Sequence, residues 1–379
     1  MRARDPHERG RTASTLELFF DLVFVVAVSV ASSQLHHALT DAHILDGLAV
    51  YAVVFFGIWW AWMNFTWFAT SFDTDDWLYR VLTIVQMGGV LVLAAGIEPA
   101  FTRHDFTVLI LSYVVMRIAM VAQWLRASRA AGRSRRATLV YAGGIAVVQV
   151  SWLVQLALPA AISWIALIVL IAAEVAIPII AERIGSTPWH PHHITERYGL
   201  FTLILLGESL LASANAIIET IHTGEHVPAL VGVSALTLIV TAALWWIYFW
   251  PPHYRAISSF ASSLRYGYIH YFVFAAAGAL SAGVEIQIDA ITGHTRLPAI
   301  GAAFTLSIPI AVFILGIWWI ALRQNADRLV KAVVPVGAVL VVLTPLTPVP
   351  VVLTAGILIA VVVVLVARPP LDGVGAHRP

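Results

Sequence analysis

The sequence predicts an all-α fold, a polytopic helical membrane protein with about 12 transmembrane helices in two parallel six-helix repeats. Three observations predict it. Of the 379 residues, 60% are hydrophobic and only 11% charged, and the mean hydropathy is +0.87. A soluble chain carries about 25% charged residues. Apolar runs of spanning length, about 20 residues, recur from end to end. The chain also repeats itself: Ala95-Gly-Ile-Glu98 returns as Ala282-Gly-Val-Glu285, and in the same frame Tyr79 falls on Tyr266 and Leu93 on Leu280. One residue off that frame, Trp59-Trp60 falls on Trp245-Trp246.

The elements follow in order. Residues 1–13 are polar and arginine-rich and read as a cytoplasmic tail, and the apolar run behind them is too long for a signal-peptide core. The spans are expected at 16–38, 46–69, 77–99, 105–126, 137–157, 161–182, 196–219, 228–250, 262–286, 298–322, 330–346 and 349–367. The last two are separated only by the proline-rich 344–350, so one broken helix, and a total of eleven, is the other reading. An even number of spans per half makes the repeats parallel, at 14–187 and 188–367, followed by a C-terminal tail at 368–379.

Charge sets the expected orientation. With both termini cytoplasmic, all but three of the 22 basic residues fall in the tails and the inner loops. Arg103 and Arg296 fall outside, and Arg117 lies within a span. Such a bias is the positive-inside pattern. A net charge of +1 gives no sign of a nucleic-acid partner. The absence of cysteine excludes disulfides and thiolate metal sites.

Ionisable residues within spans are costly and mark either ion pairs or wet paths. Glu17 and Asp21 stand four apart at the mouth of the first span and share one helical face. Arg117 lies about 13 Å from the inner end of its span. Glu174 lies at a similar depth, so Arg117 is expected to meet Asp21 or Glu174. Such a pair either locks helices or forms a gate or proton relay. Glu208, in Leu206-Gly-Glu-Ser209, lies near mid-span and is the best single candidate for a proton- or cation-handling group. Its alternative role is a neutral acid hydrogen-bonded to Ser209, Asn215 or a neighbouring helix. Gly207 beside it is expected to admit a close backbone. Glu98 and Glu285 are expected at the outer ends of matching spans, as a cation-attracting mouth or as two water-facing acids. His270 and His36-His37 are candidates for titration near neutrality. Trp189-His-Pro-His-His193 reads as a loop, with too few nearby acids and no thiol to predict a metal. The paired tryptophans are expected at membrane interfaces, or lining a vestibule.

Two stretches carry a family resemblance. Glu17-Leu-Phe-Phe-Asp21-Leu-Val-Phe-Val resembles the signature of the bacterial low temperature requirement protein A family. So does His193-Ile-Thr-Glu196-Arg-Tyr-Gly-Leu-Phe-Thr-Leu-Ile-Leu-Leu-Gly-Glu208-Ser. The likeness extends over most of the chain. It implies a bacterial inner-membrane protein associated by name with growth in the cold. Its matching positions are Glu17, Asp21, His193, Glu196, Arg197, Gly207 and Glu208. A fainter likeness is to potassium and proton channels that carry an F-S-D motif in the first helix of each of two six-helix repeats. Here Phe19-Phe20-Asp21 lacks the serine, and the second half has no F-x-D.

The function expected is a secondary transporter or channel, with Glu208 and Asp21 handling a small ion or proton and Arg117 as countercharge. The alternative is a non-transporting membrane protein that supports the bilayer or scaffolds partners in the cold. No phosphate loop, G-x-S-x-G, H-E-x-x-H or dinucleotide fingerprint is present, so neither an enzyme nor a cofactor is expected. The expected partners are the lipid bilayer and a small ion or small molecule.

Overall fold

Helices account for most of the described residues, because backbone amides in a hydrocarbon solvent must be satisfied within their own segment. The computed structural model describes residues 1, 3–6, 8, 10–223 and 226–371, except the side chains of 160, 161, 216 and 219–223. Arg2, Arg9 and Arg378, counted in the charge bias, and residues 372–379 of the C-terminal tail lie outside the described residues.

The helices are α1 (Thr15–Thr40), α2 (Ile44–Phe72), α3 (Trp77–Ala95), α4 (Ile97–Arg103), α5 (Thr107–Ser128), α6 (Arg135–Gln155) and α7 (Ala160–Ile184). They continue with α8 (Pro191–Thr223), α9 (Val227–Phe249), α10 (Phe260–Thr292), α11 (Ala299–Ile317), α12 (Arg323–Asn325), α13 (Arg328–Leu343) and α14 (Pro350–Ala367). Among the described residues there is no strand, and 12 helices or helix pairs are long and apolar enough to cross a membrane. Residues 328–343 and 350–367 are two separate helices, parted at Pro345 and Pro348.

Two differences from the expected boundaries have local causes. The third span breaks at Gly96, whose αR geometry ends α3 and begins the short α4. The seventh begins at Pro191, five residues earlier than expected. Proline is well placed in a first helical turn, where its missing N–H is one of the unpaired donors in any case. The histidine stretch is therefore partly helical, and His193 and Arg197 stand four apart on one face of α8.

The chain divides into two compact units, each drawn from separate stretches: Met1–Val30 with Gly57–Arg197, and Ala31–Phe56 with Tyr198–Pro379. In the first, α3 packs on α5, α5 on α6 and α6 on α7. Its core is aromatic: Phe20 stacks on Phe65 at 3.9 Å, and Trp124 on Tyr141 at 4.1 Å. In the second, α10 packs on α11, α11 on α13, and α14 on both α9 and α13. A Cβ on Gly283 of α10 would collide with the Thr305 carbonyl of α11, so only glycine permits that approach.

Candidate functional site

In the first unit the two i,i+4 pairs face each other. Glu17 and Asp21 on α1 meet His193 and Arg197 on α8. The Arg197 guanidinium donates to Glu17 Oε1 at 2.8 Å and to both Asp21 oxygens at 2.5 and 3.1 Å. Trp62 of α2 donates to Asp21 Oδ1 at 2.7 Å. Glu17 Oε2 accepts from the Ser14 amide at 2.8 Å and lies 3.3 Å from His193 Nε2. All four charged or imidazole groups are essentially inaccessible. Two carboxylates against one guanidinium leave an excess negative charge, and His193 adjoins Glu17 as a further hydrogen-bonding group. Burial makes such an arrangement strong only because nearly every oxygen is hydrogen-bonded.

A second buried pair lies in the same unit. Arg117 Nη2 meets Glu174 Oε2 at 3.1 Å, and Trp60 donates to that oxygen at 2.8 Å. The Tyr113 ring lies under the guanidinium at 5.2 Å. The expected layer of Asp21, Arg117 and Glu174 therefore resolves into two ion pairs. Arg117 takes Glu174, and Asp21 takes Arg197, which sequence reasoning placed in an inner loop and which is instead wholly buried. The missed signal was the pairing of two i,i+4 faces of opposite charge.

The N-terminal tail closes over this unit. Arg11 donates to the carbonyls of Ala69, at 3.0 Å, and Thr70. His190 Nε2 donates to the Glu8 carbonyl at 2.9 Å. Glu196 is half-buried and, with Glu8, Arg11 and His192, lines a cleft of about 650 Å³. The three histidines of the 189–193 stretch diverge. His190 turns to the tail, His193 to Glu17, and His192 to the surface. Among the described residues no group of three or more metal-ligating side chains forms a metal site. In the α2–α3 turn, the Arg126 guanidinium donates to Asp76 and holds its carboxyl well below the usual range. Burial, with Glu17 nearby, pushes Asp73 up.

The second unit gathers a different set. His36 of α1 lies between two acids of α10, with Nδ1 3.0 Å from Glu285 and Nε2 2.7 Å from Asp289. Thr40 donates to the same Asp289 oxygen at 3.1 Å. Glu208 of α8 lies within electrostatic reach of Glu285, and its own carbonyl accepts from Ser281 of α10 at 3.3 Å. Ser209 is committed elsewhere, to the Leu206 carbonyl and to Thr241, and Asn215 is exposed. His270 is buried and bonded to Tyr248 and to the Tyr266 carbonyl.

Three expectations are corrected. Gly207 admits no close backbone: a Cβ there would meet nothing within 4 Å. Glu98 is exposed on α4 after the break at Gly96, whereas Glu285 lies within the continuous α10 and is paired, so the two do not occupy matching sites. The tryptophan pairs also differ, since Trp59 and Trp60 are buried and Trp245 and Trp246 are over 40% exposed.

Known proteins agree with the motif reading. The chain is 30% identical, over 254 residues, to the uncharacterized protein RA0937 of Rhizobium meliloti (strain 1021). The match covers 64% of this chain and 60% of that relative's length. The model of the bacterial low temperature requirement A protein matches residues 12–368, and the chain belongs to that family.

Proposed function

We propose that this multi-pass membrane protein translocates a small ion across the bilayer, as a secondary transporter or channel, and that its ion-handling site is Glu208, Glu285, His36 and Asp289. The observation that carries the reading is the placement of His36 between Glu285 and Asp289, at 3.0 and 2.7 Å. Both imidazole nitrogens face carboxylates, so a proton or cation held here is shared between the imidazole and its two acids. Glu285 and Asp289 are only part-buried, which leaves them open to exchange, while Glu208 is buried beside them. Glu17, Asp21 and Arg197, by contrast, are sealed and bonded to one another. They serve this function as a fixed joint, and so do Arg117 and Glu174.

The wider setting of this proposal is a bacterial inner membrane, both termini cytoplasmic, two six-helix repeats, and no enzymatic chemistry. The sealed ion pairs of the first unit favour one alternative, a non-transporting protein that supports the membrane in the cold. Flux into proteoliposomes separates the two. Under imposed H⁺, K⁺ and Na⁺ gradients, the wild type should carry current and Glu208→Gln and Glu285→Gln should lose it with unchanged melting. Absence of flux under every gradient refutes ion translocation. Loss of fold together with flux in both variants makes these acids structural.

A further inference from the structure

One face of α10 is largely polar, broken only near Phe274. Tyr266, His270, Gly278, Ser281, Glu285 and Asp289 recur at steps of three, four or eight residues, so they lie on one stripe. The 33 residues of the helix span about 50 Å, the full depth of a bilayer with its headgroups. The C-terminal end of this stripe is the carboxylate–imidazole cluster. The N-terminal end is a cluster of two tyrosines and two histidines, all buried and joined by hydrogen bonds, in which His253 also caps the end of α9.

The chain's proton positions follow from its carbonyls. His253 Nε2 lies 2.6 Å from the Tyr248 carbonyl, and His270 Nδ1 lies 2.7 Å from the Tyr266 carbonyl. A carbonyl only accepts, so each of these nitrogens carries the proton. The remaining nitrogens are acceptors. His253 Nδ1 faces the Tyr266 hydroxyl at 3.1 Å, and His270 Nε2 faces the Tyr248 hydroxyl at 3.2 Å. The two hydroxyls act on one another electrostatically without a direct hydrogen bond, so this link closes only when the rings shift. The order is His253, Tyr266, Tyr248, His270. Three links share two hydroxyl protons, so one link is always unfilled.

With that link closed, an added proton completes the chain. With His253 protonated, its Nδ1–H donates to Tyr266, Tyr266 donates to Tyr248, and Tyr248 donates to His270. The Nδ1 proton then passes to the Tyr266 oxygen as that hydroxyl's proton passes to the Tyr248 oxygen and that of Tyr248 to His270 Nε2. Each O–H bond broken is replaced by one formed, His253 returns to neutral, and His270 holds the charge. The other titratable group against the chain is Tyr198 of α8, whose ring packs on His270 at 4.6 Å and on Tyr266 at 5.3 Å. Thr202 touches Tyr248. Burial pulls His253 down to about 4, so the charged chain is a transient state.

Above His270 the stripe is apolar for about one turn. Phe274 is wholly buried, with Phe201 edge-on at 5.2 Å and Tyr198 at 5.7 Å. Beyond it the polar groups resume. Tyr51 donates to the Ala275 carbonyl at 2.8 Å and Ser32 to the Gly278 carbonyl at 2.9 Å. Gly278 makes room for them, since a Cβ there would lie 2.6 Å from the Tyr51 oxygen. Ser281 and Glu208 follow, then Glu285, His36 and Asp289.

We propose that the ion handled is the proton, and that α10 conducts it: the His253–Tyr266–Tyr248–His270 relay loads or unloads it at one end, the Glu208–Glu285–His36–Asp289 cluster at the other, and Phe274 with Phe201 forms the gate between them. This rests on the ion-translocation reading above. The gate has to move for a proton to pass, because the Phe274 and Phe201 side chains offer no donor or acceptor.

The test uses the full-length protein in liposomes containing a pH-sensitive dye, with a potential imposed by a K⁺ gradient and valinomycin. Wild type should acidify the lumen. Tyr248→Phe and Tyr266→Phe remove one hydroxyl each with little change in shape, and each should slow proton flux on the order of a hundredfold while melting as wild type does. Phe274→Ala should raise the resting proton leak. Wild-type rates in both tyrosine variants overturn the relay while leaving ion translocation intact. Flux of K⁺ or Na⁺ without a pH change overturns the proton assignment and again leaves translocation intact. No flux of any ion by wild type overturns both. If either phenylalanine variant fails to fold, His270→Gln replaces it, and unchanged flux in that variant overturns the relay.

Discussion

Arg197→Ala is expected to be the most destabilising single substitution in the first unit. The guanidinium neutralises Glu17 at 2.8 Å and Asp21 at 2.5 Å, with no access to water for any of the three. At an effective dielectric of about 20, a pair of unit charges at such a distance attracts by about 6 kcal/mol, before desolvation is counted. Truncating one partner of a buried pair costs about 3–5 kcal/mol, because the remaining charge has no counterion. Here two carboxylates are stranded, four residues apart on the same helix face, so the upper part of that range applies. A loss of about 4 kcal/mol lowers the folded-to-unfolded ratio by about a thousandfold. Asp21→Asn should cost less, about 1–3 kcal/mol, since Glu17 still balances Arg197 and the oxygen of the substituted amide side chain still accepts from Trp62. Combining the two should recover part of the Arg197→Ala loss, because one stranded charge has been removed. The assay is denaturant unfolding in detergent micelles, followed by the fluorescence of the 14 tryptophans. Arg197→Ala within about 1 kcal/mol of wild type, or a double variant no more stable than Arg197→Ala alone, would refute the joint.

Two further outcomes follow from the same geometry. Arg117→Ala should destabilise and Glu174→Gln should partly rescue it, whereas Asp21→Asn should not. Equal rescue by either in unfolding titrations would put Arg117 against the wrong acid. Asp76→Asn keeps the cap on the Tyr79 amide but loses the Arg126 pair. Because Arg126 lowers the folded-state pKa of Asp76, the stability this pair supplies is present above the unfolded value of about 3.9 and fades as pH falls through the folded one. Melting curves of wild type and Asp76→Asn should therefore differ at pH 7 and converge in strong acid. A gap that persists into strong acid rules out the ion pair as its source.

The spans, the acids within them and the shared face of Glu17 and Asp21 were legible in the sequence. So was the need of Arg117 for a carboxylate. The choice between Asp21 and Glu174 was not, and neither was the burial of Arg197. The motif spacing did hold a clue, since His193 and Arg197 repeat the four-residue step of Glu17 and Asp21. The sequence hides it because the apolar run begins only near Glu196, whereas the helix begins at Pro191. The His36 cluster was missed for a different reason. His36 and Asp289 are 253 positions apart, and nothing local to either names the other.

Membrane spanning is a local property. It depends on the length and polarity of one segment, because each helix satisfies its own backbone, and so composition and the apolar runs by themselves determined a helical membrane protein of eleven or twelve spans, twelve being found among the described residues. Side-chain partnership is not local. It depends on how far each helix is rotated and shifted along its axis, and a turn of one residue swings a side chain by about 100°. Only the tertiary structure decided that Asp21 meets Arg197, that Glu174 meets Arg117, and that His36 stands between Glu285 and Asp289.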